Sequence, residues 1–84
     1  MATTTYTISA GQYEGTLRAC GISLTDRDSV AECVRACRAV CRLGDAPVIV
    51  EGGDDEHYVY ADQEDADADR DGSHAVIVVR AVRS

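Results

Sequence analysis

The sequence feature that most constrains the fold is an apolar stripe within residues 26–43. Six small apolar side chains recur there at helical spacing, within about 120° of one another at about 100° per residue. They are Val30, Cys33, Val34, Cys37, Val40 and Cys41. Two overlapping capping-box patterns, Thr25 with Asp28 and Ser29 with Glu32, mark its start, and Gly44 follows it as a stop signal. The segment therefore predicts one main helix over about 26–43.

Short β-branched segments on both sides of this helix predict strands. Residues 3–9 alternate polar and apolar side chains, and their threonines are typical of an edge strand. Pro47–Glu51 and Glu56–Ala61 predict a hairpin around residues 52–55, whose glycines accept positive φ. Ala75–Val82 is apolar on both faces, which predicts a central strand that is covered on both sides.

Two further segments complete the prediction of the fold. Thr16–Leu24 fits a second strand and Gln12–Cys20 fits a short helix, and both alternatives stay open. Asp62–Gly72 is polar and has no apolar periodicity, so we expect a loop there. Together the segments predict an α+β fold in a single small domain over residues 1–84. Its mostly antiparallel sheet of four or five strands carries the main helix of about 26–43 on one face.

The composition limits the location and the partners of the protein. No apolar run approaches the roughly 20 residues needed to span a bilayer, and the first residues lack the pattern of a secretory signal. We therefore expect a cytoplasmic protein with no membrane contact. The net charge of −7 opposes direct binding to nucleic acid. Because 84 residues bury only a small core, both a monomer and a homodimer stay open.

The four cysteines, Cys20, Cys33, Cys37 and Cys41, are expected to be free thiols, because a reducing cytoplasm disfavours disulfides. The last three recur every four residues on the apolar stripe, where small hydrophobic side chains are needed, so we expect them to pack in the core. Binding of zinc or an iron–sulfur cluster is the alternative, although the CxxC pair typical of such sites is absent. A disulfide that involves Cys20 is a further alternative.

The strongest functional signal is the acidity of Glu51–Asp71. This stretch carries ten carboxylates and one arginine, net −9, whereas the rest of the chain carries five carboxylates and seven arginines, net +2. Carboxylates spaced along two segments can resemble a phosphate backbone and are attracted to grooves lined with Lys and Arg. The stretch therefore predicts a binding surface for a protein partner that has a basic surface. The candidate residues are Glu51, Asp54, Asp55, Glu56, Tyr58, Asp62, Glu64, Asp65, Asp67, Asp69 and Asp71.

Tyr58 and Tyr60 lie inside this stretch, and an exposed tyrosine there is a candidate anchor because aromatic side chains often dominate the energy of an interface. Tyr58 is the tyrosine taken as the candidate, and packing of both rings against the helix is the alternative.

The acidic stretch also fits two other interpretations. Asp67, Asp69 and Asp71 have the spacing of the first three ligands of a calcium loop. The pattern then fails, because Val78 stands where the bidentate glutamate is needed. The stretch is also typical of a solvated, flexible loop that keeps a protein in solution.

The sequence carries little that is typical of an enzyme. Its histidines are His57 and His74, and adjacency to Ser73 does not make a catalytic dyad. Gly52 and Gly53 form no phosphate-binding loop, and the acidic residues beside them would repel phosphate. We therefore expect a non-enzymatic protein that uses no cofactor.

In size, in the charge pattern of Glu51–Asp71 and in its lack of catalytic motifs, the chain resembles the small phage-encoded anti-CRISPR proteins and related DNA-mimic inhibitors. This class shares no defined motif, so the resemblance assigns no role to any residue. It implies a stoichiometric inhibitor in the cytoplasm of a host cell. Such an inhibitor occupies a nucleic-acid or protein site on a CRISPR effector complex.

Overall fold

The computed structural model describes residues 3–53, 55–69 and 75–83. The strands in these residues are β1 (Thr4–Ser9), β2 (Val48–Glu51), β3 (Glu56–Tyr60) and β4 (Ile77–Arg83). The helices are α1 (Glu14–Ala19), α2 (Val30–Cys37) and α3 (Gln63–Ala68), and a 3-10 turn over Gly11–Tyr13 precedes α1. The strands form one antiparallel sheet in the order β1–β4–β3–β2, so the predicted α+β class is confirmed.

The predicted strands are present at nearly their predicted positions. β1 is an edge strand and β4 is central, as the threonines of one and the apolar content of the other predict. Ile8 lies opposite Val79 across β1 and β4. Val59 lies opposite Ile77 across β3 and β4. These four side chains are buried and define the core face of the sheet; the opposite side is called the open face.

The hydrophobic core lies between the core face, α1, α2 and the segments that flank α2. Besides the four residues of the core face, its buried members are Ala10, Leu17, Leu24, Cys33, Val34, Cys37, Cys41 and Leu43. Phe and Trp are absent from the chain, so aliphatic side chains and cysteines fill this core. The main helix therefore packs on one face of the sheet, as predicted.

α2 is shorter than the helix predicted over 26–43. It begins after Ser29, whose side chain accepts a hydrogen bond from the N–H of Glu32 (3.1 Å), so the second of the two capping patterns is the one used. The start predicted near residue 26 is therefore wrong by about four residues. The regular helix ends at Cys37, and residues 38–42 continue as turns. The predicted end of the helix is therefore wrong by about six residues.

The turns that follow α2 stop at the point where Leu43 enters the core. Cys41 and Leu43 are both buried, but positions two apart in an α-helix are about 200° apart and cannot face the same core. The chain changes direction at Arg42, which is left-handed (φ 55°), and the N–H of Leu43 donates to the C=O of Arg38 (3.1 Å). This is a Schellman arrangement with Arg42 at the position where glycine is usual. The stop is therefore Arg42 and not the predicted Gly44.

The segment after β1 is helical, so the helical alternative is correct and the strand over Thr16–Leu24 is wrong. α1 buries Leu17 in the core. Glu14 stabilises the start of the helix, because its Oε2 accepts hydrogen bonds from the N–H groups of Ala10 (3.2 Å) and Gly11 (3.1 Å). These contacts satisfy donors that would otherwise have no partner within the helix.

The loop expected over Asp62–Gly72 is wrong for its first part. Residues 63–68 form α3, whereas residues 70–72 lie outside the described part of the chain. Asp62 is the N-cap of α3, and its side chain accepts a hydrogen bond from the N–H of Asp65 (2.8 Å). Ala66 is the buried residue of this helix, which contacts β2 and β3. A cap and one small apolar side chain are thus enough to hold the acidic sequence in a helix against the sheet.

The turn between β2 and β3 lies at the predicted position, but its glycines are not needed for a positive φ as predicted. Of the turn residues that the structure describes, Asp55 is left-handed (φ 62°), and neither Gly52 nor Gly53 has a positive φ. Gly52 is needed for space, because a Cβ there would overlap the ring of Tyr58. The turn therefore depends on glycine because an aromatic ring lies against its backbone.

The cover predicted on both sides of β4 is present on the core face and incomplete on the open face. Val50 lies opposite Tyr58, and Tyr58 lies opposite Val78, so these three side chains share the open face. Val50 is 39% exposed, and Val82 at the end of β4 is 45% exposed. α3 packs on β2 and β3, and it leaves this end of β4 open to solvent.

Candidate protein-binding surface

The acidic stretch is divided between the two ends of β3. One group, the hairpin acids, lies around the β2–β3 turn and consists of Glu51, Asp55 and Glu56. The other group, the helix acids, lies on or beside α3 and consists of Asp62, Glu64, Asp65, Asp67 and Asp69. The strand β3 runs between the hairpin turn and the start of α3, so the two groups lie at opposite ends of this strand. The candidates Asp54 and Asp71 lie outside the described residues.

Arginines of β4 pair with two of the hairpin acids. Nη2 of Arg80 lies 3.1 Å from Oε1 of Glu56. Nη2 of Arg83 lies 2.9 Å from Oδ1 of Asp55. Both pairs are solvent-exposed, so each contributes little to stability, but they cancel local charge. This end of the acidic stretch therefore offers a partner less net charge than the sequence indicates.

Three of the helix acids, Glu64, Asp65 and Asp67, have no arginine partner among the described residues. Residues 62–69 contain five carboxylates and no basic residue. The next residue, Arg70, lies outside the described residues. The unbalanced negative charge is therefore concentrated on α3.

α3 presents three of its acids to solvent because Ala66 faces the sheet. At about 100° per residue, Glu64 points away from the sheet, and Asp65 and Asp67 lie on the two flanks. All three are exposed. Oδ1 of Asp67 also accepts a hydrogen bond from Nε2 of Gln63 (2.8 Å), one turn earlier. These carboxylates are available to a partner without any change in the helix.

Asp69 has a structural role. The hydroxyl of Tyr60 donates a hydrogen bond to Oδ2 of Asp69 (2.7 Å). Tyr60 is only 2% exposed but is not a member of the core cluster, so α3 buries its ring on the open face. Together with the N-cap at Asp62, this bond fixes α3 at both ends. Two of the five helix acids therefore serve the fold.

Tyr58, the predicted anchor, lies half-buried on the open face. Val50 and Val78 are its cross-strand neighbours, and Val82 lies further along β4 on the same face, beyond Arg80. These four residues are called the apolar strip, of which Val50 and Val82 are exposed. Exposed apolar side chains beside charged ones are typical of protein-binding surfaces. Sequence reasoning missed the three valines. The available signal was the apolar character of both faces of β4, since one main helix can cover only one of them.

Cys33, Cys37 and Cys41 pack in the core, as predicted, and all four cysteines are free thiols. Burial raises the pKa of Cys33 to about 11 and that of Cys37 to about 12. Burial also raises the pKa of Cys41. Such thiols stay protonated at neutral pH, whereas a metal ligand or a nucleophile must be a thiolate. Cys20, in contrast, is exposed.

The structure gives no support to the metal alternatives in the residues that it describes. Within them, no group of three or more His, Cys, Asp or Glu side chains is placed to hold an ion. Of the calcium-loop residues, Asp67 lies on a helix and Asp69 bonds to a tyrosine. The third, Asp71, and the following Gly72 lie outside the described residues.

His57 has the environment of a strand residue beside a surface carboxylate. Its Nε2 lies 3.7 Å from Oε1 of Glu51, and its Nδ1 is buried without a hydrogen-bond partner among the described residues. A nucleophile hydrogen-bonded to this ring, which covalent catalysis needs, is not found there. The other candidates, Ser73 and His74, lie outside the described residues.

Comparisons of the chain with protein-family models, with curated proteins and with solved structures give no match. None of the helices in the described segments has the length and apolar content that crossing a bilayer requires. The function is therefore argued from the chemistry of the surface formed by α3 and the open face.

Proposed function

We propose that this protein is a non-enzymatic binding protein that occupies a basic surface of a protein partner. Its charged contact is made by Glu64, Asp65 and Asp67, the exposed helix acids. The apolar strip beside α3 adds contact area, with Tyr58 as the aromatic anchor. The partner class that the resemblance implies is a nucleic-acid-binding assembly such as a CRISPR effector complex, in which the carboxylates take the place of phosphates.

The observation that carries this proposal is the charge imbalance of α3. The arginines of β4 pair with two of the hairpin acids, whereas Glu64, Asp65 and Asp67 have no arginine partner among the described residues. Acidic residues that only keep a protein in solution need no particular placement. Here they are concentrated on a helix that packs on the same face as the apolar strip. Charge then speeds the encounter, and the apolar contact slows dissociation.

Two double variants with the same net charge test the proposal. Glu64→Gln with Asp65→Asn removes two exposed helix acids. Asp26→Asn with Asp28→Asn removes two exposed acids near the opposite edge of the sheet. There the backbone of Arg27 pairs with that of Tyr6 in β1. Both double variants remove two negative charges from the protein. A difference between them in affinity for the partner therefore depends on where the charges lie and not on the net charge.

The immobilised protein is challenged with a bacterial lysate, and the retained proteins are identified. We expect partners to be retained at about 0.1 M salt and released at about 1 M, where the Debye length falls from about 10 Å to about 3 Å. The α3 variant should weaken binding to the purified partner about tenfold or more, and the control variant about twofold or less. Displacement by double-stranded DNA would support a nucleic-acid-binding site on the partner. Equal binding by the two variants would contradict the proposal.

A further inference from the structure

We propose that the partner contributes an extended basic segment that pairs with the outer edge of β2 as a fifth strand. This inference rests on the proposed function and adds the way in which the partner binds. It combines three features of the described residues: the backbone of β2, the exposure of its side chains and the charge of α3.

The two edges of the sheet differ. The outer edge of β1 is occupied, because Tyr6 and Arg27 exchange two backbone hydrogen bonds (2.9 and 3.0 Å). The N–H of Ile8 also donates to the C=O of Leu24 (2.7 Å). β2 is the last strand on the other side, and no described residue forms a backbone hydrogen bond with its outer edge. β2 is therefore the edge that can accept a strand.

The register of the hairpin identifies the backbone groups that face outward. The N–H of Gly52 donates to the C=O of Glu56 (2.8 Å), which continues the pairing of β2 with β3. In an antiparallel pair, bonded and non-bonded positions alternate, so Val50 bonds inward and the peptide groups of Ile49 and Glu51 point outward. A partner strand would therefore bond to the N–H and C=O groups of these two residues.

The side chains of β2 favour such pairing on both faces of the sheet. Ile49 is 42% exposed on the core-face side, and Val50 is 39% exposed on the open face. Edge strands are commonly protected by lysines, bulges or short length. β2 has no lysine, and its protection is limited to its four-residue length, Pro47 before it and Glu51 at its end.

The charge of α3 selects the kind of segment. α3 contacts β2, so a strand added to β2 lies beside the helix acids. Its alternate side chains would point to the open face, where arginine or lysine would meet Glu64, Asp65 or Asp67. A second copy of this chain is disfavoured as the occupant, because each copy carries a net charge of −7 and its own acidic helix.

The probe for this proposal is a capped, labelled peptide with the sequence Arg-Val-Arg-Val-Arg-Val-Arg. The control peptide has proline in place of the central valine, which keeps the charge and prevents strand pairing. We expect the first peptide to bind about tenfold more tightly than the control. At free peptide of about ten times Kd, hydrogen exchange of the amides of Ile49 and Glu51 should slow about tenfold.

A matched pair of protein variants tests the same edge. Ile49→Pro removes one outward N–H and keeps the bonds of β2 to β3, whereas Ile49→Thr changes the side chain and keeps that N–H. We expect Ile49→Pro to weaken binding of the alternating peptide about tenfold and Ile49→Thr about threefold or less. Far-ultraviolet circular dichroism of both variants confirms that the sheet is retained.

Three outcomes would overturn the inference. These are no binding of the alternating peptide, equal binding of the two peptides with unchanged exchange at Ile49 and Glu51, and protection of these amides that rises with protein concentration alone. The last outcome would identify a second copy as the occupant. Binding that requires Glu64 and Asp65 but not the N–H of Ile49 would leave the proposed function standing and remove only the added strand.

Discussion

The hydroxyl of Tyr60 lies 2.7 Å from Oδ2 of Asp69 and links the end of α3 to the strand that precedes the helix. This bond closes a loop of nine residues over the open face of the sheet. Because the donor belongs to a buried side chain, α3 is held by a defined contact although its exposed surface is almost entirely polar.

Tyr60→Phe should therefore loosen α3. Loss of a hydrogen bond to a carboxylate is expected to lower the free energy of unfolding by about 1–2 kcal/mol. Amides of α3 should exchange faster in native conditions. Tyr58→Phe is the control, because the Tyr58 hydroxyl has no hydrogen bond within the described residues, and it should change stability by about 0.5 kcal/mol or less. Equal effects of the two substitutions in urea titrations would contradict the structural role of Asp69.

Gly52→Ala should destabilise the β2–β3 hairpin, because the added methyl group would overlap the ring of Tyr58. We expect a loss of about 1–3 kcal/mol, measured by chemical denaturation. Gly53→Ala places its methyl group in open space and should be nearly neutral. In the Tyr58→Ala background the cost of Gly52→Ala should largely disappear. If a double-mutant cycle finds no coupling energy between Gly52→Ala and Tyr58→Ala, the glycine is needed for a reason other than the space taken by the ring.

Arg42→Gly should stabilise the protein. Arg42 has a φ of 55°, a left-handed conformation that costs a residue with a Cβ about 1–2 kcal/mol. Glycine removes most of that cost, and we expect the free energy of unfolding to rise by about 1 kcal/mol. Arg35→Gly removes the same side chain from the exposed surface of α2 and should lower stability by about 1 kcal/mol. Thermal unfolding of both variants should therefore show shifts of opposite sign.

The buried thiols should make the protein sensitive to alkali. The pKa of Cys37 is raised from 9.0 to about 12 by burial, so the unfolded state releases this proton at lower pH than the folded state does. Its contribution to stability is complete below pH 9.0 and is lost progressively as the pH rises from there toward about 12. Cys37→Ala should reduce the slope of stability against pH in this window. Cys20→Ala, which removes an exposed thiol, is the control variant.

The strands could be predicted because period-two alternation carries most of the information about a sheet. β1, β2 and β3 begin and end within about one residue of the predicted positions. The apolar sequence of β4 identified a central strand, since Ile77 and Val79 belong to the core. The exposure of Val82 could not be read from that pattern, because it depends on how much of the open face a second helix covers.

The helices were harder to predict because single tertiary contacts decide their limits. The turns after α2 change direction at Arg42 and bring Leu43 into the core, which a helical wheel of the stripe does not reveal. α3 was missed because it buries only Ala66 and has no apolar periodicity. The spacing of Asp62 and Asp65 was the available sign, since aspartate is a strong N-cap.

The candidate site was predictable in composition and not in arrangement. The sequence identified the acidic stretch, but the pairing of Asp55 and Glu56 with arginines of β4 depends on a register between distant segments. The same register places Val50 beside Tyr58. Local patterns contain no information about such long-range pairing, so the division of the acids into two groups became visible only in the fold.

α2 and α3 lie on opposite faces of one sheet, so the core and the acidic surface share no side chain. Substitutions at positions 64, 65 and 67 leave the packing of the scaffold untouched. In the proposed binding function, the contact residues can therefore change without loss of the fold, because the residues that stabilise the core are at other positions. The sheet thus separates the positions that folding constrains, which lie on the core face, from exposed positions on α3 that can vary.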